Sequence, residues 1–184
     1  MKQKLIKCGL IGGLVLFVWS AIFWMVFACQ MNYMMGFSDE GDVASAIVDN
    51  APKSGLYILP NVAAKSGNPE QMKQAEDKMA SGPFVFAAVR LEGKSARMGG
   101  AMFASFILKV VAACLVTWLL MQARITEFRR AVKFITVVGV VVGILVAFPH
   151  AIWFGFPAGS VVCALLDTIV GWFFAGLVIA KFVK

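Results

Sequence analysis

The stretch "VVCALLDTIVGWFFAGLVIAKF", Val161 to Phe182, is almost wholly apolar but carries one acid, Asp167, in its interior. Runs of eighteen or more apolar residues are typical of transmembrane helices. A carboxylate inside such a helix costs roughly 2.5–3.5 kcal/mol on insertion scales, so it normally faces a polar partner. The stretch therefore predicts a membrane span that makes a polar contact with another element.

Three more stretches of this kind occur in the chain. They run from Cys8 to Cys29, from Ala101 to Met121 and from Ala131 to Phe148, and the run that holds Asp167 extends from Ala158 to Ala180. The 184 residues are 60% hydrophobic and 15% charged, whereas soluble domains are about 45–50% apolar. We predict an all-α integral membrane protein with four transmembrane helices. The first run, at 22 residues, exceeds the roughly 7–15 apolar residues of a secretory signal, so we expect a retained anchor.

A more polar segment, residues 30–100, separates the first span from the second. "SDEGDVASAIVDNA" and "NPEQMKQAEDKMASG" have helical periodicity, with Ser38 and Asn68 as candidate N-caps, and "GLYILP" and "PFVFAAVRL" are typical of strands. We predict a small α+β extracytoplasmic cap. Residues 1–29 then hold the N-terminus and first span, and residues 101–184 hold the other spans, a cytoplasmic basic loop at 122–133 and an outer aromatic turn at 149–158.

The basic residues predict the orientation. Nine of them lie at the two termini and between the second and third spans, against one acid, Glu127. Residues 30–100 carry seven basic and eight acidic residues. Because cytoplasmic loops are enriched in Lys and Arg, we expect both termini in the cytoplasm and the cap outside. The net charge of +7 then indicates contact with anionic lipid headgroups, and no nucleic acid is expected as a partner.

The charges inside the second and fourth spans are Lys109 and Asp167. Lys109 lies eight residues after Ala101, and Asp167 lies nine residues after Ala158. At 1.5 Å per residue, their depths agree within about 2 Å. We predict an ion pair across the interface of these two spans. It is either a structural contact that selects neighbouring helices or a site that loads a proton or ion, and a charge paired with a partner protein's helix is a third reading.

Small residues recur at four-residue spacing in three of the spans, which lets helix backbones approach closely. The spacing does not tell whether the neighbouring helix belongs to this chain or to another. The glycines of these pairs are Gly9, Gly13, Gly139, Gly143, Gly171 and Gly176.

The cysteines and the single histidine offer little chemistry. Cys8, Cys29, Cys114 and Cys163 fall in or at the ends of spans without a C-x-x-C pair, so we expect four small buried apolar side chains and no disulfide. His150, like Trp153, is expected at the membrane interface. The sequence contains no P-loop, no nucleotide-binding glycine motif and no H-E-x-x-H, so we predict no catalytic residue, no cofactor and no metal site.

The stretches "GLYILP", "SGPFVF", "WFGFP" and "DTIVGWFFAGLVIA", in this order, resemble a group of small bacterial inner-membrane proteins with four helices and no assigned activity. The resemblance covers most of the chain. It implies a bacterial origin and a four-span topology, and it implies nothing about function.

Two functions are expected from these observations. The first is a non-enzymatic accessory or scaffold subunit of a larger bacterial membrane complex, with other integral membrane subunits and lipids as partners. The alternative is a small transporter or channel that uses Lys109 and Asp167, for which a homo-oligomer is possible. An enzyme that acts on lipid has the least support, because it needs polar groups gathered near the outer face.

Overall fold

The computed structural model describes residues 2–61 and 69–183. The chain forms two compact units, one made of residues 1–35 and 97–184 and the other of residues 36–96. In chain order the elements are α1 (Lys2–Ile22), α2 (Glu40–Asn50), β1 (Gly55–Leu59), α3 (Pro69–Ser81), β2 (Val85–Val89), α4 (Gly99–Gln122), α5 (Phe128–Phe154) and α6 (Ala158–Phe182).

Four helices of the first unit are long and apolar enough to cross a membrane: α1 with its π-helical continuation Phe23–Phe27, α4, α5 and α6. Their length and hydropathy confirm the prediction of a multi-pass membrane protein with four spans. A small two-stranded sheet is also present, in the second unit.

In the first unit, here called the span unit, helices α1 and α6 each pack against two other spans. Helix α1 packs against α4 and α6, α6 also packs against α5, and α4 makes only minor contact with α5. The helices therefore follow the packing order α4–α1–α6–α5. The buried core includes Leu120 of α4, Ile135 of α5 and Ile179 of α6.

Glycines permit these close helix contacts, and all of their neighbours lie within this chain. A Cβ at Gly13 would lie 2.5 Å from Val110 Cα, and a Cβ at Gly139 would lie 2.5 Å from Trp172 Cβ. The remaining glycines of the predicted spacings face Cys114 (Gly9), Leu165 and Thr168 (Gly143), Trp19 (Gly171) and Ile135 (Gly176).

The structure corrects the bounds of two connections. Helix α5 begins at Phe128, so the predicted basic loop 122–133 shrinks to residues 123–127 and its cations after 127 lie on a helix. At the other end, α5 continues through Pro149 to Phe154, because one proline removes only one main-chain donor. The helix ends where Gly155 adopts a left-handed φ of 67°, so the predicted turn 149–158 is reduced to residues 155–157.

The prediction that no disulfide forms is wrong. Cys29, just after α1, and Cys163, near the start of α6, are joined by a disulfide with a Cα–Cα distance of 5.9 Å. Sequence spacing could not reveal the bond, because the two residues are 134 positions apart and meet only when α1 packs on α6. Cys8 and Cys114 are free thiols, and of these Cys8 is buried, as predicted, whereas Cys114 is only half-buried.

The second unit has the order α2–β1–α3–β2, as the sequence predicts. Strands β1 and β2 pair antiparallel, with Tyr57 opposite Ala87. Ser54 Oγ accepts from Leu91 N (2.9 Å) and donates to Glu92 Oε2 (2.8 Å), next to the pairing of Gly55 with Val89. Two hydrogen bonds to the Glu92 carboxylate hold the pKa of this group below its ordinary value. The larger effect comes from the main chain of Glu92 itself and the smaller from Ser54.

The N-cap of α2 differs from the predicted one. Asp39, and not Ser38, caps α2, because its carboxylate accepts from Asp42 N at 2.9 Å. Gly82 follows α3 with a left-handed φ of 67°. The predicted cap Asn68 lies outside the described residues.

Candidate functional site

Asp167 lies on the face of α6 that packs against α1. Its side chain is half-buried, and Ser20 Oγ of α1 donates to Asp167 Oδ1 at 3.4 Å. The carboxylate therefore has a hydroxyl partner on α1. This contact is long for a bond between oxygens, and the indole groups of Trp19 and Trp24 also contribute hydrogen bonds at Asp167.

Trp19 holds the main chain of α6 at the same point. Its Nε1 donates to the carbonyl oxygen of Asp167 at 2.9 Å. The indole can approach because residue 171 is glycine: a Cβ there would lie 2.9 Å from Trp19 Cδ1. The Phe174 ring, with its centroid 5.1 Å from that of Trp19, covers the indole. Trp19 and Gly171 thus set the position of Asp167 relative to α1.

The predicted ion pair between Lys109 and Asp167 is not a direct contact. Among the described residues, no ion pair within 4.0 Å joins them, and Lys109 Nζ donates instead to Ser105 Oγ at 3.1 Å on its own helix. The Lys109 charge still acts on the Asp167 carboxylate. The physical reason is the packing order: α1 lies between α4 and α6, and depth along a helix does not say which helix is the neighbour.

The arrangement brings a carboxylate and an ammonium group into electrostatic range without neutralising either by contact. A carboxylate offers about four acceptor positions and an ammonium group three donors. The Asp167 carboxylate meets the Ser20 hydroxyl and the indoles of Trp19 and Trp24, and Lys109 donates to the Ser105 hydroxyl. Because neither group is neutralised by a direct ion pair, the site can take up a proton, a water molecule or a small ion, and an ionisable group inside a span is a candidate functional group.

Sequence reasoning did not single out Ser20 and Trp19. A signal was present, because Ser20 is the only hydroxyl residue in the apolar run from Cys8 to Cys29. A lone hydroxyl in a span is a candidate partner for a charge on a neighbouring helix. Its pairing with Asp167 could not be assigned without knowing that α1 packs on α6.

His150 and Trp153 lie at the far end of α5. His150 Nδ1 is 2.7 Å from the carbonyl oxygen of Val146, and its ring lies beside Phe154 and Phe156. Trp153 is 72% exposed. Their location at the membrane interface stays a prediction. In the described part of the chain, no three His, Cys, Asp or Glu side chains gather in a way that could hold a metal ion.

No protein-family model, curated protein or solved structure matches this chain. The function therefore has to follow from its own residues and their arrangement.

Proposed function

We propose that this protein is a non-enzymatic accessory or scaffold subunit of a larger membrane assembly in the inner membrane of a bacterium. The observation that carries the proposal is the nearly absent core of residues 36–96. Among the side chains of this unit that the structure describes, Ala51 is the only buried one. A unit of about 60 residues is marginal even with a core of its own.

The sheet of this unit is apolar on both faces. Leu56 and Ile58 share one face with their partners Ala88 and Phe86, and the residues between them lie on the other face. Leu56 is 73% exposed. A two-stranded sheet is marginally stable in water by itself, and its edges are templates for further pairing.

Exposed apolar side chains also occur outside the sheet, as with Val48 on α2, which is 64% exposed. Contiguous apolar surface outside the membrane is typical of protein interaction sites. The glycine spacings no longer support a partner helix, because their neighbours lie within the chain. Support for a subunit role therefore comes from residues 36–96. The partner that fits this unit is a protein with an apolar surface.

The test is gentle extraction of the tagged protein from its own membrane, followed by native gel electrophoresis and mass spectrometry. We expect a stoichiometric set of larger subunits with the wild type. Leu56→Lys should release them, whereas Gln71→Lys, which adds the same charge to exposed helix α3, should not. A wild-type protein that migrates only as a small monodisperse species would contradict the proposal.

We also propose that both termini are cytoplasmic and that residues 36–96 are extracytoplasmic. The disulfide of Cys29 with Cys163 supports this orientation, since disulfides persist in oxidising compartments. At the other end of α1 and α6, away from the disulfide, Lys7 Nζ lies 4.9 Å from the centroid of the Phe182 ring. Lys2 and Lys181 belong to the same basic end, which fits the positive-inside rule.

A second candidate function, transport of protons or small ions, is favoured by the geometry around Asp167. Its carboxylate has hydrogen-bond contacts to Ser20, Trp19 and Trp24 and a cation in electrostatic range, Lys109, without a direct ion pair. In reconstituted vesicles, Asp167→Asn should abolish ion flux while the fold is retained, and Asp167→Glu should preserve part of it. If Asp167 is only structural, wild-type vesicles will show no flux and Asp167→Asn will only change stability.

A further inference from the structure

The first two turns of α5, "FRRAVK" from Phe128 to Lys133, place cations where a helix least favours them. The N-terminal end of a helix carries a partial positive charge, which stabilises anions and disfavours Lys and Arg. Helix α5 has no acid in its first turn, and its N-cap residue Glu127 makes no capping hydrogen bond. This local conflict would be relieved by an anion that is supplied from outside the chain.

The neighbouring acid does not relieve it. Glu127 Oε2 is 2.7 Å from Arg130 Nε, so this carboxylate is taken by one cation. Arg129 and Lys133 have no ion-pair partner among the described residues. They are four positions apart on one face of α5, where like charges repel each other. Both side chains are exposed.

These two cations line a groove between α5 and α6. The groove has a volume of about 380 Å³, and its other lining residues include Val132, Val137, Phe173 and Leu177. Val137 lies two turns beyond Arg129, about 12 Å further along α5. The groove is thus cationic at the helix start and apolar towards the middle of the span. Val137 and Phe173 are 51% and 40% exposed, so the apolar part is open.

We propose that this groove is a binding site for an acidic phospholipid. The headgroup phosphate lies against Arg129 and Lys133 near the start of α5, and one acyl chain follows Val137, Phe173 and Leu177. Basic pockets between transmembrane helices are known to favour anionic headgroups. Charge complementarity commits the site to a lipid with net negative charge, since a zwitterionic lipid brings a cation beside its phosphate and would relieve the conflict at the helix start less.

A second groove of the span unit shows what the cations add. It has a volume of about 490 Å³ and is lined by apolar residues of α1 and α6, among them Leu14, Val18 and Phe174. None of the described residues that line it is charged. It can receive hydrocarbon, but it has no group that distinguishes one headgroup from another.

The test is native mass spectrometry of the full-length protein in detergent with equimolar phosphatidylglycerol and phosphatidylcholine that carry the same acyl chains. We expect one retained phosphatidylglycerol for the wild type. The double variant Arg129→Gln, Lys133→Gln should lower its retention by about tenfold or more. The control Lys2→Gln, Lys181→Gln removes the same charge from residues that do not line the groove, and it should keep retention within about twofold of the wild type.

The apolar part of the site is tested by Val137→Trp, which fills the groove and leaves the charge unchanged. We expect it to lower phosphatidylglycerol retention as well, and excess inorganic phosphate should not displace the lipid from the wild type. The proposal is overturned if both double variants lose the lipid equally, if Val137→Trp has no effect, if free phosphate displaces the lipid, or if the wild type retains both lipids alike. Size-exclusion profiles confirm that each variant is folded.

Discussion

Hydroxyl side chains inside the spans differ in whether they have a hydrogen-bond partner. Ser20 donates to Asp167, and Thr168 Oγ1 donates to the carbonyl oxygen of Ala164 in its own helix at 2.9 Å. Thr117 is fully buried, and its Oγ1 is the only buried side-chain oxygen or nitrogen without a hydrogen-bond partner in the described part of the chain. An unsatisfied buried polar group destabilises a fold by about 1–3 kcal/mol.

Replacing Thr117 by Val should therefore stabilise the protein. Val has nearly the same shape and removes the unpaired hydroxyl, so we expect an increase of about 1 kcal/mol in the free energy of unfolding. Thermal unfolding in detergent, followed by intrinsic fluorescence, measures the change. The matched control Thr168→Val removes a hydroxyl that has a partner, and it should bring no gain. A lower melting temperature for Thr117→Val would show that its hydroxyl has a favourable role.

At the residue scale, the sequence revealed the candidates but not their partners. Asp167 and Lys109 stand out because charges are rare in apolar runs. Which group meets each of them depends on side-chain direction around the helix and on neighbouring helices. For that reason the sequence predicted a direct ion pair, whereas in the structure Asp167 contacts Ser20 and Lys109 contacts Ser105.

At the scale of elements, helix α1 packs closely against both α4 and α6. It carries Gly9, Gly12 and Gly13, and its two sides meet different helices: Gly13 contacts Val110 of α4, while Gly12 contacts Ile179 of α6 as well as Ala113 of α4. Absent side chains let three helices approach closely, as small residues do in membrane proteins generally.

Gly13→Ala should separate α1 from α4. The added Cβ would lie 2.5 Å from Val110 Cα and 2.7 Å from Val110 N, so the backbone itself has to move. We expect a loss of about 1–3 kcal/mol in the free energy of unfolding, the usual effect of overpacking. Thermal unfolding in detergent tests this. Gly100→Ala is the control, because nothing lies within 4 Å of a Cβ there, and equal effects of the two changes would contradict the close contact.

The whole molecule combines a span unit that packs its own glycines with a second unit that has little core. These two properties are independent of each other. The glycine contacts mean that the four spans pack against one another within the chain. The small core of residues 36–96 is the reason for expecting a protein partner there. The disulfide of Cys29 with Cys163 joins the end of α1 to the start of α6 at one end of the span unit, and it supports the proposed orientation.

The disulfide can be tested by two-step thiol labelling of the protein from its native membrane. N-ethylmaleimide under denaturing conditions blocks Cys8 and Cys114, and reduction followed by a polyethylene-glycol maleimide should then add two labels. Cys29→Ser should add none, because Cys163 is then blocked in the first step. Cys8→Ser should still add two. If the wild type gains no label after reduction, the bond is contradicted and the orientation loses the support drawn from it.

The sequence by itself determined the number of spans and the α–β–α–β order of residues 36–96. Hydropathy and periodicity are local properties of the sequence, so they predict spans, helices and strands without knowledge of the fold. Only the tertiary structure decided that α1 lies between α4 and α6, that Cys29 meets Cys163, that Ser20 contacts Asp167 and that Arg129 and Lys133 line a groove beside α6. The physical reason is that a sequence reports how deep a residue lies along its own helix, whereas neighbours depend on how side chains of different helices fit together.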